Sequence, residues 1–189
     1  MRKIVAGEYI TLDGVVEAGW AGHKPALAPG DELAGSYFDE EVGQTIGALT
    51  AAADTLLLGR VTYEGFAAFF SGQTGGMADQ MNNLPKVVVS STLDKAEWQD
   101  STVVSGDLTG EISRLKQQPG KNIAVSGSAT LVRWLLRNRL LDELHLLVFP
   151  VVLGGGKRLF EDGGDRVRLT LNSAKALSNG VVHLIYQPA

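Results

Sequence analysis

The chain has 189 residues, a formal net charge of −4, 44% hydrophobic and 20% charged residues, and no cysteine. This composition is ordinary for a globular protein, and the length predicts a single domain over 1–189 with a real core. The lack of cysteine excludes disulfides and thiol chemistry, and three scattered histidines show no metal-binding spacing, so we expect no metal site. The negative charge argues against nucleic-acid binding, and the absence of any signal or membrane-spanning pattern makes cytoplasmic residence the expectation.

The chain opens with a run of strand character. Residues 4–12 are mainly apolar with interspersed polar residues, which indicates a buried strand, and Asp13-Gly14 is a turn signal at its end. The next segment, 15–34, contains several glycines and prolines and has no sustained period. A loop of this length in a compact domain is usually functional or disordered. Because Trp20 lies in it, a mobile lid over a ligand and an ordered surface loop both stay open as interpretations.

Helices and short strands alternate through the middle of the chain. Some segments repeat apolar residues at helical intervals, others form short β-rich runs, and glycine-rich stretches separate them. The segment 72–83 is predicted to be an irregular loop. The remaining predicted elements are helices over 36–53, 60–69 and 108–115, and strands over 55–58, 86–91 and 102–105.

The junction after the strand 55–58 has the composition of a phosphate-binding turn. Gly59 allows a close approach of the backbone, and the helix that begins there offers unpaired N–H groups and a favourable dipole to an anion. Arg60 adds a planar charged fork that suits phosphate, and Val61 and Thr62 complete the turn. The alternative interpretation is a capped helix start with a solvated arginine.

A second junction of this kind lies at Ser126-Gly127-Ser128. The apolar run 123–125 precedes it, a helical pattern follows, and a β-rich run over 144–152 completes a strand–helix–strand crossover unit. The turns of such units bind ligands, so the junction is predicted to cradle a phosphate. Alternatively, Gly127 only permits a tight turn and a serine caps the helix. Two junctions of this type favour a dinucleotide with several phosphates.

Further small residues stand at predicted strand ends. Ser90-Ser91 ends the strand 86–91, where the hydroxyls either meet a ligand at the carboxyl end of a strand or cap the turn that follows. The glycine run 154–156 stands beside two cations and exposes backbone to a substrate or cofactor.

The chain ends in a predicted antiparallel hairpin. Two β-rich runs, 167–177 and 181–186, are joined through Asn179-Gly180, the strongest short hairpin signal. The earlier strands are connected by helices and are therefore predicted to be largely parallel. The fold class is accordingly α/β, with a mixed and mostly parallel sheet.

The order of these motifs resembles the dihydrofolate-reductase-like superfamily, in the branch similar to the reductase domain of the bifunctional riboflavin-biosynthesis deaminase–reductase. The resemblance covers nearly the whole chain, and its motifs are weak singly but specific in combination. They are Thr11-Leu12-Asp13-Gly14, Leu58-Gly59-Arg60-Val61-Thr62-Tyr63, Val89-Ser90-Ser91, Val125-Ser126-Gly127-Ser128, Leu141-Asp142-Glu143-Leu144 and Pro150-Val151-Val152-Leu153-Gly154-Gly155-Gly156.

The resemblance implies a three-layer αβα fold, NADPH as reductant, and a pteridine- or ribosylaminopyrimidine-like small molecule as substrate. It also implies a homodimer. The residues that it assigns to the cofactor are Gly59, Arg60, Val61, Thr62, Ser90, Ser91, Ser126, Gly127, Ser128, Ala129 and Thr130. The residues that it assigns to the substrate or a lid are Trp20, Leu153, Gly154 and Gly155.

The catalytic residue implied by the resemblance is Asp13, near the nicotinamide, with a purely turn-shaping role as the alternative. Dihydrofolate reductases place a lone carboxylate in the helix before the Gly-Arg turn, and the matching register here falls near Val42 and Gly43. Since neither is an acid, dihydrofolate reduction itself is not expected. The expected reaction is hydride transfer from NADPH to a C=N or C=O carbon. Another chemistry on the same nucleotide-binding fold and a non-catalytic nucleotide-binding protein stay open as alternatives.

Overall fold

The computed structural model describes residues 1–16, 34–164 and 166–189. Strands and helices alternate along these residues, and a 3-10 turn, Gly35–Tyr37, precedes the first α-helix. The strands are β1 (Ile4–Thr11), β2 (Ala53–Gly59), β3 (Lys86–Val89), β4 (Ser101–Val104), β5 (Asn122–Ser126), β6 (Glu143–Phe149), β7 (Leu169–Ala176) and β8 (Val182–Pro188). The helices are α1 (Glu40–Ala51), α2 (Arg60–Phe70), α3 (Gly76–Asn83), α4 (Leu108–Gln117) and α5 (Ala129–Arg137).

The strands form one sheet in the order β4-β3-β2-β5-β1-β6-β8-β7. The strands from β4 to β6 in this order pair in parallel, whereas β8 pairs antiparallel with both β6 and β7. Parallel neighbours need crossover connections, which helices supply between most of them. The predicted α/β fold, with a mostly parallel sheet and a C-terminal antiparallel hairpin, is confirmed.

Helices cover both faces of the sheet, as the packing of β2 demonstrates. Leu57 packs with apolar residues of α4 and α5, whereas its neighbours Leu56 and Leu58 pack with those of α2 and α3. Successive residues of a strand point to opposite faces, so these helix pairs lie on opposite sides of the sheet. On β6, Val42 of α1 packs against Phe149. The result is the predicted three-layer αβα arrangement.

The strand order determines which loops meet. β5 lies between β1 and β2, and β3 lies on the far side of β2. Because these strands are parallel, the loops that follow all four of them open at the same edge of the sheet. The carboxyl ends of the strands in an open α/β sheet are the usual place for a ligand.

The prediction of an irregular loop over 72–83 was wrong, because α3 occupies most of this segment. Ala78 and Met81 lie three residues apart on one face of α3 and are buried with the aromatic residues of α2. Gly75, with φ +90°, and Gly76, with φ +51°, form the sharp entry to the helix. Burial against α2 therefore stabilises a helix that glycine-rich local sequence disfavours.

Other boundaries also differ from the predictions, and for two of them the structure shows the reason. The helix predicted from residue 36 begins at Glu40, because Asp39 caps it by accepting the N–H of Val42 over 3.0 Å. The strand predicted over 144–152 ends at Phe149, since Pro150 has no N–H to donate to a ladder. β6 lies between β1 and β8, and this central position accounts for its apolar run.

Candidate functional site

The two predicted phosphate turns lie side by side, joined by a continuous series of hydrogen bonds. The N–H of Gly59 donates to Ser128 Oγ over 3.1 Å, and Ser128 Oγ donates to Thr62 Oγ1 over 3.0 Å. Thr62 Oγ1 then donates to the carbonyl oxygen of Gly127 over 2.8 Å. Both hydroxyl side chains are buried. They therefore hold the β2–α2 turn against the β5–α5 turn, and the groups left to face a ligand are backbone N–H groups.

Gly127 occupies a backbone position that favours glycine. Its φ is +63°, in the left-handed region, and a Cβ at this position would lie 3.3 Å from Thr62 Cγ2. The residue itself is exposed. The glycine thus allows the start of α5 to approach the β2–α2 turn and leaves the backbone open to solvent.

The N-termini of α2 and α5 differ from those of α1 and α4. Asp39 caps α1 and Asp107 caps α4 through their side chains, and both of these helices carry acidic residues in the first turn. Neither α2 nor α5 has a side-chain cap or an acid in its first turn. Uncapped first turns leave N–H groups and the positive end of the helix dipole available to an anion. The two adjacent turns therefore form one site with an intrinsic preference for negative charge.

A cavity of about 570 Å³ lies over these two helix starts. Val16, Leu108, Trp134 and Lys157 contribute to its walls. The sequence-predicted cofactor residues that line it are Gly59, Arg60, Val61, Thr62, Gly127, Ser128, Ala129 and Thr130. Two turns that lie far apart in the sequence are thus brought to one concave surface.

Arg60 lies where this cavity meets a second depression of about 400 Å³, and it lines both. Its Nη1 donates to the two carboxylate oxygens of Glu64, over 3.0 and 2.9 Å, one helical turn further along α2. The side chain is 43% exposed, and its Nε and Nη2 donate to no residue that the structure describes. The guanidinium therefore keeps donors for a phosphate while Glu64 orients it.

The two serines at the end of β3 have different roles. Ser90 Oγ accepts the N–H groups of Thr92, over 3.1 Å, and of Leu93, over 2.9 Å, so this hydroxyl caps the turn. Ser91 is exposed and lines the 400 Å³ depression together with Arg60. The capping role predicted for this pair therefore applies to Ser90. The ligand-binding role stays open for Ser91, whose hydroxyl is exposed.

A third, mainly apolar cavity of about 120 Å³ lies against α1, α2 and α3. Its volume is roughly ten times the ~10–15 Å³ that one water molecule needs. It shares Val16 and Gly127 with the 570 Å³ cavity, so the two spaces adjoin at the β5–α5 turn, and Ser126 lines the smaller one. From α1, the lining residues that the structure describes are Ile46, Leu49 and Thr50, and none of them is an acid.

Asp13 joins the end of β1 to the loop after β6. Its carboxylate accepts the hydroxyl of Thr11 over 2.6 Å and the N–H groups of Leu153, over 3.3 Å, and Gly154, over 2.8 Å. The hydrogen bond from Thr11, followed by those from the backbone, lowers the pKa of Asp13 to about 2. An acid of this pKa is ionised at neutral pH and holds no proton to donate. This geometry favours the turn-shaping alternative for Asp13.

The predicted substrate or lid residues do not all lie together. Leu153 and Gly154 are tied to Asp13, and Gly155 beside them is exposed. None of these three lines the cavities that contain the phosphate turns. Trp20 lies outside the described residues.

Glu8 is a buried acid at this site that the sequence analysis missed. It lies on β1, its exposed fraction is 1%, and its Oε1 has no hydrogen-bond partner among the residues that the structure describes. Burial raises the pKa of Glu8 to about 8, although the N–H groups of Ser128 and Gly127 and the charge of Lys157 oppose the rise. The sequence could have predicted this burial. Glu8 lies two residues from both Ala6 and Ile10, so all three side chains point to the same face of a strand that is predicted to be buried.

Within the described ranges, no three histidine, aspartate or glutamate side chains cluster closely enough to hold a metal ion. Over the same residues, no helix has the length and hydropathy needed to cross a membrane.

Comparison with known proteins gives one match in sequence and two solved structures of similar fold. The uncharacterized protein YyaP of Bacillus subtilis (strain 168) is 27% identical over 190 residues, which cover 98% of this chain and 94% of YyaP. The fold is similar to that of a putative riboflavin biosynthesis protein from Shewanella sp. PV-4, with a TM-score of 0.76 at 19% identity over 99% of each chain. It is also similar to dihydrofolate reductase from Enterococcus faecalis, with a TM-score of 0.58 at 15% identity over 98% of this chain and 96% of that one. These structural likenesses confirm the dihydrofolate-reductase-like fold.

Residues 2–183 match the sequence family described as the RibD C-terminal domain. The match extends over nearly the whole chain, and strands β1 to β7 and the two glycine turns lie within it. The chain therefore belongs to the RibD C-terminal domain family.

Proposed function

We propose that this protein is a reductase that binds NADPH and transfers a hydride to a pteridine- or ribosylaminopyrimidine-like small molecule. The observation that carries the proposal is the pair of adjacent, uncapped helix N-termini of α2 and α5 at the carboxyl edge of the sheet. Membership of the RibD C-terminal domain family supports reductase-type chemistry. The dihydrofolate reductase from Enterococcus faecalis was solved as a complex with NADP(H), which supports the choice of dinucleotide.

The donor set of the site fits a dinucleotide with several phosphates. The first turns of α2 and α5 would hold the pyrophosphate through backbone N–H groups, because neither helix has a side-chain cap at its N-cap residue. Arg60 and Ser91, which line the adjoining depression, would hold the additional phosphate that distinguishes NADPH from NADH. Phosphate binding needs positive charge only close to the phosphates, so the overall charge of −4 does not oppose it.

The apolar cavity against α1, α2 and α3 would take the substrate. It adjoins the phosphate cavity at Val16 and Gly127, so a ring bound in it would lie next to the space proposed for the cofactor. Its walls include Ile46, Leu49 and Phe66, which suit a flat heterocycle. The described lining residues from α1 include no acid. We therefore expect the substrate to place no positively charged, amidinium-like group against α1.

When bound, NADPH supplies the hydride, and the work of the protein is orientation and exclusion of water. The Thr62–Ser128 hydrogen bond holds the two turns in one arrangement. Asp13 holds the loop after β6 against the end of β1 through the N–H groups of Leu153 and Gly154, and this loop would cover the site from that side.

A homodimer forms part of the proposal. β7 is one of the two edge strands of the sheet, and its residues are exposed along nearly their whole length, with Leu171 50% exposed. Proteins usually cover or shorten such an edge, and a second copy would do so. Light scattering at several protein concentrations tests this point, and a monomeric mass throughout would contradict it.

Titration of the purified protein with NADPH and with NADH, followed by nicotinamide fluorescence, tests the cofactor site. We expect NADPH to bind more tightly than NADH, because only NADPH carries the phosphate that Arg60 and Ser91 would contact. A turnover screen with NADPH then begins with dihydrofolate and ribosylaminopyrimidines.

The outcomes separate this proposal from its alternatives. NADPH oxidation accelerated by a heterocyclic substrate supports the reductase. Tight NADPH binding without accelerated oxidation by any substrate would indicate a nucleotide-binding protein instead. If neither dinucleotide binds, the phosphate interpretation of both turns is wrong, and the reductase proposal falls with it.

A further inference from the structure

Glu8 combines three features that a structural carboxylate rarely has together. It is almost fully buried, one of its oxygens has no partner among the described residues, and it faces the turn at which the cofactor phosphates are proposed to bind. Buried carboxylates are normally paired with a cation or fully hydrogen-bonded. Packing alone does not require an acid here, because the in-phase neighbours Ala6 and Ile10 are apolar core residues.

Among the described residues, the groups that act on Glu8 come from several elements. From the β5–α5 turn, the backbone N–H groups of Ser128 and Gly127 face its carboxyl. From the loop after β6, Lys157 contributes a positive charge. β6 places the apolar Leu146 opposite Glu8 in the sheet, and on β1 itself the adjacent titratable group is the partly buried Tyr9. The surroundings are thus polar on the side of the turn and apolar elsewhere.

An ionised Glu8 and a bound phosphate would compete for the same N–H groups. Two anions at one helix start repel each other, and the low dielectric of a buried site strengthens the repulsion. A protonated Glu8 is neutral, leaves the N–H groups to the phosphate, and places no charge against it. The two protonation states of Glu8 must therefore bind the dinucleotide with different affinities.

We propose that Glu8 is a positioning residue of the dinucleotide site, which accepts the cofactor when Glu8 carries a proton and disfavours it when Glu8 is ionised. The inference rests on the proposed function, because it requires a dinucleotide whose phosphates occupy the β5–α5 turn. Glu8 also lines the 120 Å³ cavity beside Gly127, and its effect on the dinucleotide is proposed to pass through the N–H groups of Ser128 and Gly127.

The direction of the pH dependence follows from linkage. The pKa of unliganded Glu8 is raised to about 8, so the residue is protonated at neutral pH and ionises as the pH rises through this value. An anion bound nearby raises the pKa of Glu8 further, so binding at alkaline pH must take up a proton. The affinity is then constant below the pKa and declines above it, by about tenfold between roughly pH 7 and pH 9.

The test measures NADPH affinity by fluorescence titration between about pH 6.5 and pH 9 on the wild-type protein, Glu8→Gln and Glu111→Gln. Glutamine has the shape of glutamic acid and stays neutral, so Glu8→Gln should lose the decline in affinity at alkaline pH. Glu111 is an acid on α4 whose partner is the exposed Arg114 in its own helix, so Glu111→Gln should keep the decline. Calorimetry of NADPH binding to wild type at about pH 9, in two buffers of different ionisation enthalpy, should report uptake of nearly one proton.

The outcomes distinguish the failure of this inference from the failure of the proposed function. If NADPH binds but takes up no proton, and wild type and Glu8→Gln share one pH profile, the role of Glu8 is overturned while the cofactor site stands. If NADPH binds at no pH, both are overturned. Should Glu8→Gln fail to fold, the proton uptake by wild type still decides, because it needs no variant.

Discussion

The hydroxyl oxygens of Thr62 and Ser128 lie 3.0 Å apart, although 66 residues separate them in the chain. Each belongs to a turn between a parallel strand and a helix, and the strands concerned, β2 and β5, are neighbours in the sheet. Since both hydroxyls are buried and bonded, they couple the two turns as one unit. A change in either turn should therefore affect the other.

Replacing Thr62 by valine should lower stability and weaken NADPH binding together. Valine keeps the β-branched shape but leaves the carbonyl of Gly127 without its donor, and it leaves the hydroxyl of Ser128 with the longer, 3.3 Å hydrogen bond to Ser126 O. The unsatisfied carbonyl should cost about 1–3 kcal/mol in the free energy of unfolding, measured by urea denaturation. Thr45→Val is the matched control, because the Thr45 hydroxyl donates to Glu41 O in its own helix and to no other residue that the structure describes. Equal affinity for NADPH in Thr62→Val and the control would contradict the coupling of the turns.

Replacing Gly127 by alanine should destabilise the protein and impair the phosphate turn. The φ of +63° is strained for alanine, and the new Cβ would lie 3.3 Å from Thr62 Cγ2. We expect a loss of about 1–2 kcal/mol in the free energy of unfolding and a marked loss of NADPH affinity.

The control for this substitution is Gly43→Ala, in the interior of α1. A Cβ at Gly43 meets no atom within 4 Å, and its φ is not positive. Alanine should therefore stabilise α1 by roughly 0.5–1 kcal/mol, with NADPH binding unchanged. If Gly127→Ala proved as stable as Gly43→Ala, the described geometry of the turn would be wrong.

Replacing Arg60 by alanine should weaken NADPH binding more than NADH binding. Arg60 lines both the phosphate cavity and the depression that contains Ser91. Loss of a charge-assisted contact should cost roughly 1.5–3 kcal/mol of NADPH affinity by fluorescence titration. Arg114→Ala is the matched control, since Arg114 is likewise an exposed arginine paired with a glutamate of its own helix. An equal effect of Arg60→Ala on both dinucleotides would exclude Arg60 as the residue that distinguishes them.

The contribution of Asp13 to stability should disappear at acid pH. The hydrogen bond from Thr11 and the backbone N–H groups lower its pKa to about 2, below its value in the unfolded chain. A lowered folded-state pKa contributes stability above the unfolded value, near pH 4, and this stability is lost as the pH falls towards roughly 2. The difference in unfolding free energy between wild type and Asp13→Asn, followed by urea denaturation, should therefore be largest near neutral pH and shrink through this window. A difference that does not change with pH would show that ionisation of Asp13 is not its cause.

Much of this molecule follows from local sequence. The glycine junctions at Gly59 and Gly127, the Asn179-Gly180 hairpin and the alternation of helices and strands rest on interactions between residues close in the chain, which short-range patterns report. Short-range patterns did not predict α3, because the stability of this helix comes from contacts with α2.

The sequence by itself determined the α/β class, the hairpin and the candidacy of the two glycine turns as phosphate sites. Only the tertiary structure decided that the two turns are one site, because the sheet places β5 beside β2 although two other strands intervene in the chain. It also decided that the hydroxyls of Thr62 and Ser128 form a hydrogen bond with each other, and that Glu8 is buried against the β5–α5 turn. Burial and pairing depend on which distant segments become neighbours, and no periodicity along one strand carries that information.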